Sequence, residues 1–235
     1  MTNPGMNTAS WALLGAGGAS ALVDWTAVGL KAKRVEYVAK PLTLLLFTAA
    51  AVALTPVSDL RRGYTVTALV FSLAGDVLLM LPEPDPREQA RARARGETGR
   101  LELFPFGLAA FLIAHINYIA AFRAGGAGFG ATALAGLLPL PIALPLGTLI
   151  VRALAARGER TLQVPVIVYI AVLWAMTASA VATGSFVTAL GAWLFLASDA
   201  TLAWDRFLRK LRWGPVAVAV TYHTAQALLV YSLVR

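Results

Sequence analysis

Two aspartates lie inside stretches of the sequence that are otherwise typical of membrane-spanning helices. Asp76 stands in residues 71–80 and Asp199 in residues 194–203, and neither stretch has another charged side chain. A carboxylate in hydrocarbon costs about 2.5–3.5 kcal/mol on insertion scales, so such a residue indicates a functional site. Two carboxylates in one apolar pocket repel each other as dianions, and one of them then keeps its proton. Such a pair can act as general acid and anionic stabiliser.

Both aspartates are predicted to lie at the same depth. At a rise of about 1.5 Å per residue, each is roughly 9 Å inside one end of its helix, and the two helices run in the same direction. Two histidines, His115 and His223, are about 5 Å deeper, near the middle of the membrane. The four side chains can therefore meet only if their helices surround a common pocket.

Further polar residues fall on the same helices at spacings that place them on one face. Tyr118 is one turn from His115, while Ser72 precedes Asp76 by four residues. Tyr222 and Gln226 are also four residues apart. We expect these groups to orient water or the carboxylates: Ser72, His115, Tyr118, Tyr222 and Gln226.

The composition indicates a single all-α membrane domain. Hydrophobic residues make up 58% of the chain and charged residues 14%, against about 25% charged in soluble proteins. The absence of cysteine excludes disulfides and thiolate metal ligands. A span needs about 20 mostly apolar residues. Eight stretches are predicted to be transmembrane helices: 9–29, 40–57, 63–82, 104–123, 131–154, 164–183, 186–204 and 214–234.

The net charge of +8 is distributed as membrane topology requires. The loops after predicted helices 1, 3, 5 and 7 hold 16 of the 20 lysines and arginines, and the opposite side holds 4. The positive-inside rule then places the basic loops, including residues 83–102, in the cytosol and both termini outside. We expect an integral protein of a bacterial cytoplasmic membrane that contacts membrane lipids and has no nucleic-acid partner.

The two halves of the chain resemble each other, which suggests two parallel four-helix repeats. Pro41 precedes Asp76 by 35 residues, and Pro165 precedes Asp199 by 34. Four helices separate the equivalent positions, so both halves would point the same way across the membrane.

Each of these residues also has a structural interpretation. Asp76 could pair with Lys40, and Asp199 with Arg206, to hold helices together. His115 could be a packed histidine. Asp24, near the cytosolic end of helix 1, is expected to reach the membrane interface.

Two other functional classes are open at this point. A proton-coupled transporter or lipid carrier would use intramembrane acids as proton relays. A metal hydrolase could use Asp76, Asp199, His115 and His223, but no spacing such as HxxxH supports it. We therefore expect no metal and no cofactor.

An ordered set of motifs resembles the YhhN-like lysoplasmalogenases. It covers nearly the whole chain and consists of residues 40–43, 72–80, 107–118, Pro165 with Tyr169, 191–207 and 222–226. The resemblance implies an eight-helix membrane enzyme that hydrolyses the vinyl ether bond of lysoplasmalogens, with Asp76 and Asp199 as its catalytic pair and Tyr169 among the supporting residues. Two features depart from the family pattern, namely the long 83–102 loop and His223.

The implied chemistry suits these residues. A vinyl ether hydrolyses by protonation of its outer alkene carbon, and water captures the resulting oxocarbenium ion. The hemiacetal then collapses to a fatty aldehyde and a glycerophospho-headgroup product. Lys40 and Arg206, near the cytosolic interface, could bind the phosphate of a lysophospholipid substrate.

Overall fold

The protein is all-helical wherever the computed structural model describes it, which is residues 5–82, 95 and 102–235. The predicted 83–102 loop lies almost entirely outside these residues. The helices, in chain order, are α1 (Thr8–Gly29), α2 (Lys33–Ala53), α3 (Asp59–Met80), α4 (Phe104–Ala124), α5 (Phe129–Ala135), α6 (Leu140–Ala156), α7 (Gln163–Ala182), α8 (Phe186–Ala203) and α9 (Gly214–Tyr231).

Six of these helices are long and apolar enough to cross a membrane, and the broken pair α5–α6 is a seventh candidate. The eight predicted spans are thus not all recovered by length and composition. The predicted span that is not recovered is the first one, because α1 has 22 residues but is not among the six. Its buried positions include Ser10, Ser20 and Asp24.

Helix α2 begins earlier than the sequence predicts. The expected start is Lys40, but the helix starts at Lys33 and contains Pro41 in its interior. Proline removes a hydrogen bond and crowds the preceding turn. Here Glu36 accepts hydrogen bonds from Lys33 at 2.7 Å and from Lys40 at 3.4 Å. These contacts support the turns that precede the proline.

The predicted helix 131–154 is broken into α5 and α6, whose axes differ by 67°. Pro139 prevents α5 from continuing into α6, since proline lacks the N–H that a continuous helix needs. The indole N–H of Trp174 on α7 donates to the Gly136 carbonyl at 2.8 Å. A Cβ at Gly136 would lie 2.6 Å from the Trp174 ring, so glycine permits this contact.

The core lies between α2, α3, α4, α7, α8 and α9, with Phe47, Tyr118 and Phe195 among its fully buried side chains. Helices α3 and α4 pack closely beside Asp76. A Cβ at Gly75 would lie 2.6 Å from the Phe111 ring. This close approach brings the α3 backbone next to Asp76 against the Phe111 ring of α4.

Candidate active site

A cavity of about 460 Å³ lies among the helices, and both intramembrane aspartates line it. Asp76 contributes from α3 and Asp199 from α8, so the sequence-based expectation of a shared pocket agrees with their placement. Lysines and arginines line the end of the cavity near the α1–α2 and α8–α9 connections, while apolar side chains of α6 and α7 line another wall. The cavity therefore has an acidic interior, a basic end and an apolar wall.

Asp76 is held by a tyrosine from α9. The Tyr222 hydroxyl donates to Asp76 Oδ2 at 2.8 Å, and Asp76 is only 7% exposed. The Tyr222 ring packs edge-on against Phe111 and Phe195, with ring centroids 5.9 and 5.4 Å apart. These contacts fix the direction of the hydroxyl that reaches the carboxylate.

Asp199 has a corresponding tyrosine from α7 and, in addition, a histidine from α4. The Tyr169 hydroxyl donates to Asp199 Oδ2 at 2.5 Å, and His115 Nε2 lies 3.6 Å from the same oxygen. The His115 ring contacts the rings of Tyr169 and Phe195 at centroid distances of 5.3 and 4.7 Å. Each aspartate thus accepts a hydrogen bond from its own tyrosine, and Asp199 in addition has a histidine nearby.

The backbone sets the tautomer of His115. Its Nδ1 is 2.6 Å from the Phe111 carbonyl oxygen, which can only accept a hydrogen bond. The neutral ring therefore carries its proton on Nδ1, an assignment from the hydrogen-bond network. Nε2 then presents a lone pair toward Asp199.

The other predicted supporting residues lie behind the cavity. Tyr118 donates to Gln226 Oε1, and both side chains are fully buried. Ser72 is also fully buried, and its hydroxyl has no hydrogen-bond partner among the described residues. Tyr169 and Tyr222 thus touch the carboxylates directly, whereas Ser72, Tyr118 and Gln226 pack one layer further out.

Lys40 and Arg206 both line the cavity, as a phosphate site requires. Lys40 pairs with Glu36, 3.4 Å away, instead of Asp76. The Arg206 guanidinium lies 3.8 Å above the ring of Phe104, and Asp199 accepts its hydrogen bond from Tyr169. Asp76 is therefore not explained as the partner of Lys40.

The expectation that Asp24 reaches the membrane interface is wrong. The side chain is fully buried, and its Oδ2 lies 3.8 Å from His223 Nδ1. The reason is the packing of α1 against α2 and α9, which turns the polar face of α1 inward. The inner face of α1 could not be chosen from the sequence, because its apolar residues run around the whole helix.

Aromatic residues that frame the site also lay outside the prediction. Phe111 precedes His115 by four residues and Phe195 precedes Asp199 by four, so each shares a helix face with a polar site residue.

Among the residues described, no three histidine, aspartate or glutamate side chains lie close enough to hold a metal ion. The metal-hydrolase alternative needs such a set.

Comparison with known proteins matches most of the chain. A sequence model of the YhhN family matches residues 35–233. Lysoplasmalogenase TMEM86B of Mus musculus is 31% identical over 72% of this chain and 62% of its own length, and that of Homo sapiens is 32% identical over 74% and 66%. A lysoplasmalogenase of Mycobacterium tuberculosis is 32% identical over 79% of the chain and 65% of its own length. The chain thus spans just under two thirds of these relatives. No solved structure matches it.

Proposed function

Since the chain belongs to the YhhN family, we propose that it is a membrane-embedded hydrolase that cleaves the vinyl ether bond of lysoplasmalogens. The products are a fatty aldehyde and a glycerophospho-headgroup fragment. The observation that carries this proposal is the cavity in which Asp76 and Asp199 each accept a tyrosine hydrogen bond. Relatives named lysoplasmalogenase supply the substrate class.

The surroundings of the two carboxylates favour different charge states. Asp199 faces the lone pair of His115 Nε2, which stabilises a carboxylic acid that can point its proton there. Asp76 has no such acceptor among the described residues, and the cation of Lys40 lines the same cavity, where it can balance a carboxylate. We assign Asp199 as the general acid and Asp76 as the anion.

These two carboxyl groups are sufficient for every proton transfer in the reaction. Asp199 gives its proton to the outer alkene carbon, and ionised Asp76 stabilises the oxocarbenium ion. Water attacks this ion and passes a proton to Asp76, and the product of this step is a hemiacetal. Asp199 then takes the hydroxyl proton of the hemiacetal while Asp76 protonates the departing glycerol oxygen. Both carboxyl groups return to their starting states.

The walls of the cavity suit a lipid with one chain. Lys40 and Arg206 lie at the basic end, where they can bind the phosphate. Ile142 and Leu146 of α6, with Ile170 of α7, form the apolar wall that would hold the hydrocarbon. The vinyl ether, which is next to the glycerol, then lies between these regions at the level of the aspartates.

We also propose that the protein spans a bacterial cytoplasmic membrane eight times, with two parallel four-helix repeats. α1 supplies one span because its 22 residues reach about 33 Å, and α5 with α6 supplies another. The equivalent aspartates then fall on the third helix of each half. The uneven distribution of lysine and arginine supports external termini.

The topology predicts the activity of periplasm-reporting phosphatase fusions. A fusion after Arg235 should be active, and a fusion within residues 83–102 should be inactive, because the phosphatase folds only outside the cytosol. Cytosolic reporter fusions at the same positions serve as the control. An inactive fusion at Arg235 together with an active one in the 83–102 loop would reverse the orientation.

His115→Ala should lower kcat roughly tenfold, less than the usual general acid–base effect, because Asp199 keeps its proton but loses the acceptor that orients it. Phe111 and Phe195 stay to fill the site, so the fold should persist. Initial rates of aldehyde release by purified variant and parent test this. Unchanged kcat would remove His115 from the proposed site.

The function itself is tested by aldehyde release from a panel of lysolipids. Lysoplasmalogen should be cleaved, while lysolipids with an ester or a saturated ether at the same position should not, since neither forms the oxocarbenium ion by carbon protonation. A purified protein that transports these lipids into vesicles without releasing aldehyde would instead support the carrier alternative.

A further inference from the structure

A third buried aspartate lies behind the cavity, and the proposed reaction does not use it. Asp24 of α1 is fully buried, and neither of its carboxylate oxygens has a hydrogen-bond partner among the described residues. The basic atom that approaches it is Nδ1 of His223 on α9, at 3.8 Å from Oδ2. His223 is itself 1% exposed, and neither residue lines the cavity.

The chemistry of this pair requires a proton. A bare carboxylate without hydrogen bonds is strongly disfavoured in an apolar interior, and so is an imidazolium. A carboxylic acid that donates to the lone pair of a neutral imidazole leaves no net charge and gives one Asp24 oxygen a partner, once the 3.8 Å separation closes to hydrogen-bond distance. We propose that Asp24 and His223 form such a neutral, proton-sharing pair, which positions Tyr222 and through it Asp76.

Trp25 allows His223 to take part in this pair. Its indole N–H donates both to His223 Nδ1 and to the Ala219 carbonyl oxygen, each at 3.1 Å. The second acceptor keeps the indole N–H bonded when Nδ1 receives the proton of Asp24. The Trp25 and His223 rings are stacked, with centroids 6.5 Å apart and planes at 19°. α1 is thereby joined to α9 at one defined position.

That position is next to the tyrosine that holds Asp76. Tyr222 and His223 are consecutive residues on α9, with ring centroids 5.3 Å apart, and the Tyr222 hydroxyl donates to Asp76. A shift of His223 relative to α1 therefore moves the backbone that carries Tyr222. Asp24 and Trp25 also precede the family-matched residues 35–233, whereas His223 lies within them.

The charged groups near Asp24 lie on α2 and act in opposite directions: Lys33 and Lys40 favour its carboxylate form, whereas Glu36 favours the neutral acid. Lys40 lies within electrostatic range of both Asp24 and Asp76, and Glu36 and Lys33 of α2 also face Asp24. Glu36 is already bonded to Lys33 and Lys40. An ionised Asp24 would compete with Asp76 for Lys40, so a neutral pair leaves the charge of Lys40 to the cavity.

Substitutions can separate a neutral positioning pair from a charged one. Asp24→Asn keeps the shape and a hydrogen-bond donor, so kcat should stay within about threefold of the parent. Asp24→Leu and His223→Leu should each lower kcat about tenfold with little change in KM, because a small displacement of a catalytic group is costly. The double Leu variant should lose no more than the worse single variant. Ser20→Ala, which removes a buried α1–α2 hydrogen bond one turn away, is the matched control and should not change kcat.

Infrared spectroscopy tests the proton without relying on activity. Near neutral pH, the parent-minus-Asp24→Asn difference spectrum should show the carbonyl band of a protonated carboxylic acid. The thermal unfolding midpoint of the double Leu variant should be no lower than that of the worse single variant.

Of the tests of this pair, only the kcat measurements rest on the proposed function. If the parent itself releases no aldehyde, the proposed function fails, and the infrared and unfolding results still decide the pair. A tenfold loss in Asp24→Asn, independent losses that multiply in the double variant, or an ionised Asp24 in the infrared spectrum would each overturn the proposal.

Discussion

Asp76→Asn and Asp199→Asn should each lower kcat for lysoplasmalogen hydrolysis at least about a hundredfold, within the usual range of general acid–base effects. An amide in place of the Asp199 carboxyl cannot give a proton to carbon, and an amide in place of the Asp76 carboxylate cannot balance an oxocarbenium ion. Both amides still accept the hydrogen bonds that Tyr169 and Tyr222 now donate, so the fold should be retained. Aldehyde release by purified variants with parent-like thermal unfolding is the measurement.

A matched control exists on the same helix as Asp76. Asp59 in the first turn of α3 is exposed and pairs with Arg62 at 2.7 Å, and it lies at the end of the helix remote from Asp76. Asp59→Asn removes one carboxylate from α3 and should leave kcat unchanged. Near-parental turnover by either Asp76→Asn or Asp199→Asn would rule out the paired-acid mechanism.

The second large effect concerns the number of chains on the substrate. We expect kcat/KM to be at least about a hundredfold lower for a two-chain plasmalogen than for the lysolipid with the same vinyl ether chain, on the scale that pocket exclusion achieves. In the proposed placement, a second chain on the neighbouring glycerol carbon would have to share with the first a cavity of about 460 Å³. Paired assays with the same headgroup and chain isolate this difference.

Detergent solubility needs a control in this comparison, since two-chain lipids partition differently. Mixed micelles of constant surface composition, with each lipid at a fixed mole fraction, remove that variable. Equal kcat/KM for the two lipids would show that the cavity does not select a single chain, and the placement of hydrocarbon along α6 and α7 would then be wrong.

The sequence is informative about this site because intramembrane carboxylates are so unfavourable. Asp76 and Asp199 stand out against apolar neighbours, and the helix rise alone gives them a common depth. The sequence also indicates the two tyrosines, because Tyr222 has helical spacing to Gln226 and Tyr169 belongs to one of the motifs that resemble the family. What spacing does not give is the pairing across helices, namely Tyr222 with Asp76 and Tyr169 with Asp199.

The errors have physical causes of the same kind. The prolines of the predicted fifth helix are visible in the sequence, but the contact between Trp174 and Gly136 at the break joins residues 38 apart and is visible only in the fold. Lys33 begins α2 because Glu36 bonds both Lys33 and Lys40, which local propensity at Pro41 does not reveal. The position of Asp24 is mispredicted because an apolar helix does not mark its inner face. His115 distinguishes the two aspartates only through the fold.

Hydrolysis in D₂O tests the central claim most directly. If Asp199 protonates the outer vinyl carbon, purified protein and lysoplasmalogen should yield a fatty aldehyde that carries one carbon-bound deuterium next to the carbonyl. The turnover should be slower than in H₂O because that proton moves in the first chemical step. Trapping the aldehyde by rapid reduction and measuring its mass prevents later exchange, and authentic aldehyde in the same buffer is the control. Aldehyde without this deuterium, or no aldehyde at all, would contradict the account.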